Sequence, residues 1–154
     1  MPTWGYSVKE LDPDRTVKCS GREASVSPKA MTELCRAVKG MLVKDAKRLM
    51  EDVIAMKRAI PYRRYKKEVP HRSLDAKWYA GRYPVKAAKI MLKLLEEMEA
   101  NAEYKGFNLE NLKIIHAASQ RGRKIRKAIP RAHGRASPYY DTLTHVELVG
   151  YEAF

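Results

Sequence analysis

A run of thirty residues between Glu110 and Asp141 contains no Asp or Glu but has eight Lys or Arg side chains. Five of these cations are arginines, whose planar guanidinium groups suit paired hydrogen bonds to phosphate. The run has few apolar residues with which to build a core of its own. Because like charges repel and no acid in the run offsets them, an ordered segment of this composition needs an external polyanion. The chemistry predicted here is phosphate binding.

A second cationic region, residues 59–84, is called the basic–aromatic segment below. Cations contact phosphates and aromatic rings stack on unpaired bases, so the mixture favours nucleic acid. The alternative is that the rings pack the segment onto the helices while the cations point to solvent, and for Trp78 and Tyr83 both interpretations remain open. The cations are Arg63, Arg64, Lys66, Lys67, Arg72, Lys77 and Arg82, and the rings are those of Tyr62, Tyr65, Trp78, Tyr79 and Tyr83.

The last predicted helix carries its charges in the order that its macrodipole disfavours. Lysines occupy the N-terminal half and glutamates the C-terminal half, which leads to the hypothesis that the N-terminal half faces a polyanion. The lysines are Lys86, Lys89 and Lys93, and the glutamates are Glu96, Glu97, Glu99 and Glu103.

Catalytic chemistry has little support in the sequence. The four histidines lack the spacing of metal ligands, the two cysteines form no CxxC pair, and no phosphate-binding loop or GxGxxG motif is present. We therefore predict no catalytic residue, no metal and no cofactor. A DNA-reading helix-turn-helix is disfavoured because the second helix mixes acids with its cations.

The overall composition sets the partner class. The 154 residues carry a net charge of +13 with a pI near 9.8, which points to a nucleic acid or an anionic membrane. Residues 57–93 contribute +10 and residues 113–154 contribute +5. No apolar run of ~18 residues predicts a membrane span, and the N-terminus does not resemble a signal peptide. Cys19 and Cys35 are interpreted as buried free thiols of a cytosolic protein.

The elements that position these residues follow from periodicity. A short strand is predicted over residues 16–25. A helix starts at Ser27-Pro28 and ends near Gly40, and a second follows and stops before Pro61. A third runs from residues 83–84, with the proline in its first turn, to 105–106. The buried stripes are Met31, Leu34, Cys35 and Val38, then Ala46, Leu49, Met50, Val53 and Ile54, then Ala87, Ala88, Met91, Leu94, Leu95, Met98 and Ala102.

Two strands close the chain, at residues 112–117 and 142–149, and they are expected to pair. The second strand alternates, with Thr142, Thr144, Val146 and Leu148 on one face and Leu143, His145, Glu147 and Val149 on the other. The connection between the strands, residues 119–141, is called the arm below. It is too long for an ordinary hairpin loop, so it is either disordered or an extension of the hairpin. An extension would project on the order of 35 Å.

Several segments resemble one known family along essentially the whole chain. PRAHGRASP at 130–138 is similar to the hairpin signature of the large-subunit ribosomal protein numbered twenty-two in bacteria and archaea and seventeen in eukaryotes. SPK at 27–29, AGRYP at 80–84 and NAEYKG at 101–106 also match, and PYRRYK at 61–66 resembles the insertion of the archaeal and eukaryotic branch.

The resemblance implies an α+β fold in which three helices pack on a small antiparallel sheet with a long projecting β-hairpin. We expect one domain over residues 1–154, with the arm as its extension. The resemblance also implies a structural, non-enzymatic role in the cytoplasmic ribosome. The body would lie near the polypeptide exit and the hairpin would line the nascent-peptide tunnel. Expected partners are large-subunit rRNA, neighbouring ribosomal proteins and nascent peptide, with neither membrane nor DNA.

The resemblance also assigns residues. Ile129 and Pro130 lie near the turn and are the candidates to face the nascent peptide. Lys29 at the first helix and Lys86 at the third join the rRNA-binding set together with the cations of the basic–aromatic segment. In the arm, the predicted rRNA-binding residues are Arg121, Arg123, Lys124, Arg126, Lys127, Arg131, His133, Gly134 and Arg135.

Overall fold

The computed structural model describes residues 5–74 and 77–152. The helices are α1 (Pro28–Val38), α2 (Val43–Ile54) and α3 (Val85–Tyr104), with one turn of 3-10 helix at Leu109–Asn111. The strands are β1 (Thr16–Ala24), β2 (Ile60–Pro61), β3 (Gly81–Arg82), β4 (Leu112–Pro130) and β5 (Ala136–Glu152). This order confirms the predicted α+β class, with three helices, an antiparallel sheet and a long hairpin.

The main sheet has the order β1-β5-β4, and both of its ladders are antiparallel. On β5, Thr144, Val146 and Leu148 are fully buried on the face predicted from the alternation. The predicted apolar stripes of the three helices lie in the same core. The opposite face of β5 is covered as well, because His145 and Glu147 are also buried. Burial on both faces fixes the register of the central strand.

The helices begin and end close to the predicted positions. Ser27 is the N-cap of α1, and Gly40 lies beyond its C-terminus with φ +89°, a conformation that glycine adopts without strain. The Gly40 N–H donates to the Ile114 carbonyl at 2.7 Å, which ties the end of α1 to β4. The prediction for α3 was wrong by one residue. Pro84 is the N-cap rather than part of the first turn, because its ψ of 65° is not helical.

The arm is an extension of the hairpin. β4 and β5 remain paired from the body out to Pro130 and Ala136. Five residues close the turn, and the Arg131 N–H donates to the Arg135 carbonyl across it at 2.8 Å. His133 and Gly134 have φ values of 58° and 66°, so the tip lies in this left-handed pair. At the usual rise per residue, the paired arm is about 35 Å long.

Candidate nucleic-acid interface

The cations of the arm lie on a narrow ribbon that leaves the body at a β-bulge. The ladder shifts register between Arg121 and Lys124, where Gly122 lies against the His145 ring. A Cβ on Gly122 would meet the His145 Nε2 at 2.9 Å, so the close approach requires glycine. Beyond the bulge the residues are exposed, apart from Ser137, Thr142 and Leu143, which are half-buried.

The two faces of the arm differ in chemistry. Residues opposite each other in the ladder share a face, so Lys124 and Arg126 lie on one face together with Tyr140. The opposite face carries Ile125 and Ile129, which are 42% and 38% exposed. One face of the arm is therefore cationic, and the opposite, more apolar face also carries Lys127, Tyr139 and Asp141.

Lys127 lies on the apolar face and has a carboxylate partner. Its Nζ is 2.7 Å from Asp141 Oδ2. This hydrogen bond and the accompanying charge attraction raise the pKa of Lys127 and lower the pKa of Asp141. The first acid after the acid-free run is thus neutralised within the arm. Among the predicted arm cations, Lys127 is less available to phosphate than its neighbours.

The tip exposes the remaining candidates. Arg131, His133, Gly134 and Arg135 form the turn, and each is exposed. Pro130 ends β4 beside them and is exposed as well. The structure therefore keeps all of the predicted arm residues on one continuous projection.

A second group of candidates surrounds a groove of about 680 Å³ on the body. Lys29, at the start of α1, lies there with cations from a segment more than thirty residues further along the chain. No Asp or Glu is among the described residues that line the groove. The lining cations are Lys29, Arg64, Lys66, Lys67 and Arg82, and the lining rings are those of Tyr62, Tyr65 and Tyr83.

The aromatic rings of the basic–aromatic segment divide between packing and exposure. Tyr62 is buried, and burial raises the pKa of its phenol to about 12. Trp78 is half-buried, and its indole N–H donates to the Tyr62 carbonyl at 2.9 Å. Tyr79 stacks on Trp78 with ring centroids 5.0 Å apart and is 45% exposed. Trp78 therefore fixes the segment to the body, while Tyr79 presents a ring at the surface.

Several predicted cations lie outside the groove. Arg63 stands over the Trp78 ring and Arg72 over the Tyr83 ring, at 5.5 and 5.3 Å from the centroids, in cation–π positions. Lys77 is exposed and has φ 45°. Lys86, on α3, lies close enough to the arm for its charge to help lower the pKa of Asp141. The structure thus brings most of the candidates together in two places, the arm and the groove, and leaves Arg63, Arg72 and Lys77 outside both.

The acidic half of α3 has a partner within the chain. Lys47 of α2 and Glu99 form an ion pair at 2.7 Å, with about a quarter of each side chain exposed. Lys89 and Lys93, in the basic half of α3, are exposed. The hypothesis that this half faces a polyanion stays a prediction.

Glu33 was not identified from the sequence. It is 1% exposed on α1, and its carboxylate accepts backbone N–H bonds from Arg63, Arg64 and Tyr65 at 3.2, 2.8 and 3.0 Å. Arg36 adds a longer ion pair at 3.6 Å. A carboxylate bound by several backbone N–H groups is a strong local anchor. A single sequence gives no signal for it, because the three donors are main-chain groups some thirty residues away.

Glu147 is a second buried carboxylate that sequence reasoning missed, and it anchors the N-terminal segment at the base of the hairpin. It accepts bonds from the backbone and hydroxyl of Ser7 at 3.0 and 2.7 Å and from Gln120 at 3.0 Å. Burial acts to raise the pKa of Glu147, but these hydrogen bonds and the nearby Arg22 charge outweigh it and lower the pKa. The Ser7 hydroxyl also lies 3.0 Å from His116 Nε2. Burial, helped by the Lys39 charge, lowers the pKa of His116.

The thiols and histidines build no reactive site in the described part of the chain. Cys19 and Cys35 are free and buried, as predicted. Burial raises the pKa of each thiol to about 12, and for Cys19 the Glu97 charge adds to this effect. Within residues 5–74 and 77–152, no three His, Cys, Asp or Glu side chains are placed to hold a metal ion.

Comparison with known proteins identifies the family. Residues 19–150 match the family described as Ribosomal protein L22p/L17e. The chain belongs to the L22p/L17e family of ribosomal proteins. The resemblance inferred from the hairpin signature is confirmed.

Archaeal members of the L22p/L17e family align over nearly the whole chain. The large ribosomal subunit protein uL22 of Thermofilum pendens is 53% identical, with 99% of each chain covered. The protein of the same name from Archaeoglobus fulgidus is also 53% identical, over 97% of this chain and 96% of its own. The corresponding Methanopyrus kandleri protein is 48% identical. The chain is thus a member of the archaeal type.

Membership of this family fixes the general role. The chain is a structural constituent of the large ribosomal subunit and not an enzyme, as predicted. Its location is the ribosome. None of the helices in the described ranges has both the length and the apolar character needed to cross a membrane.

Proposed function

We propose that this ribosomal protein binds large-subunit rRNA through two surfaces, the arm and the body groove. The body would lie near the polypeptide exit, and the arm would pass through rRNA to line the nascent-peptide tunnel. The observation that carries the proposal is the ordered two-stranded arm, which exposes cations along its length and has no apolar core behind it. Such an arm gains most of its stabilisation from an external polyanion.

The chemistry of the arm supports RNA as that polyanion. Arg121, Arg123, Lys124 and Arg126 are exposed along about half of the projection. Two paired strands form a narrow ribbon that fits between RNA helices, where phosphates lie on several sides. The paired Lys127 and Asp141 add no net charge, so the cations around them set the attraction. Phosphate contacts of this kind release counterions, and the affinity should fall steeply with salt.

Two exposed apolar residues beside the tip support the tunnel assignment. Ile129 and Pro130 are exposed next to the tip, on a segment otherwise rich in cations. Apolar side chains gain little from phosphate, but they can contact a passing peptide. Neighbouring ribosomal proteins are proposed as partners of the body, whereas DNA and membranes are not.

A salt-wash experiment tests the proposal. Tagged protein expressed in an archaeal host should remain on the large subunit after a high-salt wash, because the arm is threaded through rRNA. A matched variant in which Arg121, Arg123, Lys124 and Arg126 are replaced by Gln should be lost from washed subunits. Release of the wild-type protein by the wash, with recovery on DNA, would identify a free nucleic-acid-binding protein and overturn the proposal.

A further inference from the structure

The body groove is formed by parts of the chain that are far apart in sequence. The groove is lined by the start of α1, at Lys29, and by residues 62 and 64–67 of the stretch 62–67, which is called the wall below. Arg82 closes the groove from β3, and its guanidinium donates to the Glu68 carbonyl at 2.9 Å. Short β2–β3 pairing at Ile60 and Arg82 ties the wall to the body. One end of the wall is therefore fixed by backbone pairing, and the other end is fixed by the Arg82 side chain.

The middle of the wall is held by the buried Glu33. Three consecutive N–H groups, those of Arg63, Arg64 and Tyr65, converge on its two carboxylate oxygens. Because these donors are main-chain groups, the contact sets the path of the backbone and leaves the cationic side chains directed outward. Removing the carboxylate would leave the N–H groups without their acceptor, which costs more than the bonds themselves gain.

The groove combines the two kinds of group that recognise an unpaired nucleotide. Lys29 Nζ and the Arg64 guanidinium lie 5.8 and 5.5 Å from the centroid of the Tyr65 ring. Two cations therefore stand over the Tyr65 ring, at the edge of a groove of about 680 Å³. Phosphates of a single strand bind to such cations while a base stacks on a ring or a guanidinium plane. A paired base in a duplex keeps its faces stacked on its neighbours and cannot do so.

We propose that the body groove binds an unpaired nucleotide of RNA and that Glu33 is the positioning residue that holds the cationic wall in place. The phosphate lies on Lys29 and Arg82, and the base stacks on the guanidinium plane of Arg64, which stands over the Tyr65 ring. This proposal rests on the proposed rRNA binding and adds the class of ligand and the residue that preorganises its site. Glu33 acts only through the backbone it fixes.

The test uses the full chain and a single-stranded RNA probe containing 4-thiouridine. After irradiation, mass spectrometry locates the crosslinked peptides, and crosslinks to the arm serve as an internal reference. In the wild-type protein, crosslinks should form both in the groove, within residues 62–67, and on the arm. A fully base-paired probe of the same length should give the arm crosslinks only.

Two matched variants separate positioning from charge. Glu33→Gln keeps the shape but removes the charge, and it should lower the groove crosslink yield about tenfold, as expected when one or two charge-assisted bonds are lost. Amide hydrogen exchange at residues 63–65 should rise in parallel, while the arm crosslinks stay unchanged. Arg36→Gln removes the exposed partner of Glu33 but leaves the three N–H bonds, and it should change neither readout.

The outcomes distinguish the two proposals. Arm crosslinks without groove crosslinks in the wild-type protein would overturn the groove site and leave the proposed function intact, whereas loss of both would overturn the proposed function. Groove crosslinks of equal yield from the paired probe would refute an unpaired ligand. Faster exchange at residues 63–65 in Glu33→Gln with an unchanged groove yield would refute the positioning role.

Discussion

Removing the arm cations should change the salt dependence of RNA binding by a predictable amount. Arg121, Arg123, Lys124 and Arg126 are exposed. Each phosphate contact contributes about 0.7 to 0.9 to the slope of log affinity against log salt concentration. Replacing all four residues by Gln should therefore make the slope shallower by about 3. The assay is binding of the isolated protein to protein-free large-subunit rRNA over a range of salt concentrations.

Two controls distinguish the arm from total charge. A variant with four exposed body cations replaced by Gln loses the same charge, and its slope should change by less than one third as much. The body positions are Lys9, Lys44, Arg48 and Lys57. The second control, Lys127→Gln with Asp141→Asn, removes the ion pair without changing the net charge, and its slope should stay at the wild-type value. Equal slope changes in the arm and body variants would refute the reasoning, because they would show a response to net charge alone.

Three further results are expected. Gly122→Ala should lower stability by about 1–3 kcal/mol in thermal denaturation, because its Cβ overlaps a buried imidazole ring. Stability should fall as the pH drops below 6.5, the ordinary pKa of His116, and again below 4.5, the ordinary pKa of Glu147, because folding lowers both pKa values. Cys19 and Cys35, with pKa values of about 12, should react far more slowly with iodoacetamide in the native protein than in urea.

The first result has a control variant, and the other two have outcomes that would contradict them. Gly5→Ala should leave the melting temperature unchanged, since a Cβ there meets nothing within 4 Å. In the pH series, stability falls with falling pH because the unfolded state binds more protons than the folded state. Stability that rises as the pH drops from 6.5 to 5 would contradict this reasoning. Alkylation at equal rates in native protein and in urea would show that the thiols are not protected by burial.

The helices and the sheet could be predicted because local patterns agree with the packing. The apolar stripe from Met31 to Val38 and the Ser27-Pro28 start define α1 without long-range information. β5 was found from its alternation, but its coverage on both faces was not. That coverage depends on Ser7 reaching Glu147 from 140 residues away in sequence, and periodicity carries no information on such a contact.

The arm was predicted in outline and not in detail. Its missing carboxylates and its flanking strands allowed an extended hairpin, with disorder as the alternative. Alternation places Lys124 and Arg126 opposite Ile125 and Ile129 once the segment is known to be a strand. Which β5 residues share each face depends on the register, and the shift of register at the Gly122 bulge gives no signal in the sequence. The pairing of Lys127 with Asp141 emerges only from the ladder.

In the candidate interface too, the residue types could be predicted from the sequence, but the long-range contacts between them could not. Residue types identified the cations of the basic–aromatic segment, but not that Lys29 joins Arg64 and Arg82 at one groove. Glu33 was missed because an acid on a helix gives no sign that main-chain donors will surround it. The RNA-binding and tunnel-facing roles of the individual residues, and the single-domain organisation over residues 1–154, stay predictions.

Site-specific crosslinking from the arm tests the central claim most directly. A photoreactive residue replaces Ile129, next to the tip, or Tyr104 as a control, which is 94% exposed on the body. Each variant is assembled into ribosomes that carry a nascent chain. We expect Ile129 to crosslink to large-subunit rRNA and to nascent peptide, and Tyr104 to give no crosslink to nascent peptide. Crosslinks from Ile129 to neither rRNA nor peptide, or equal peptide crosslinks from both positions, would contradict an arm that passes through RNA to the tunnel.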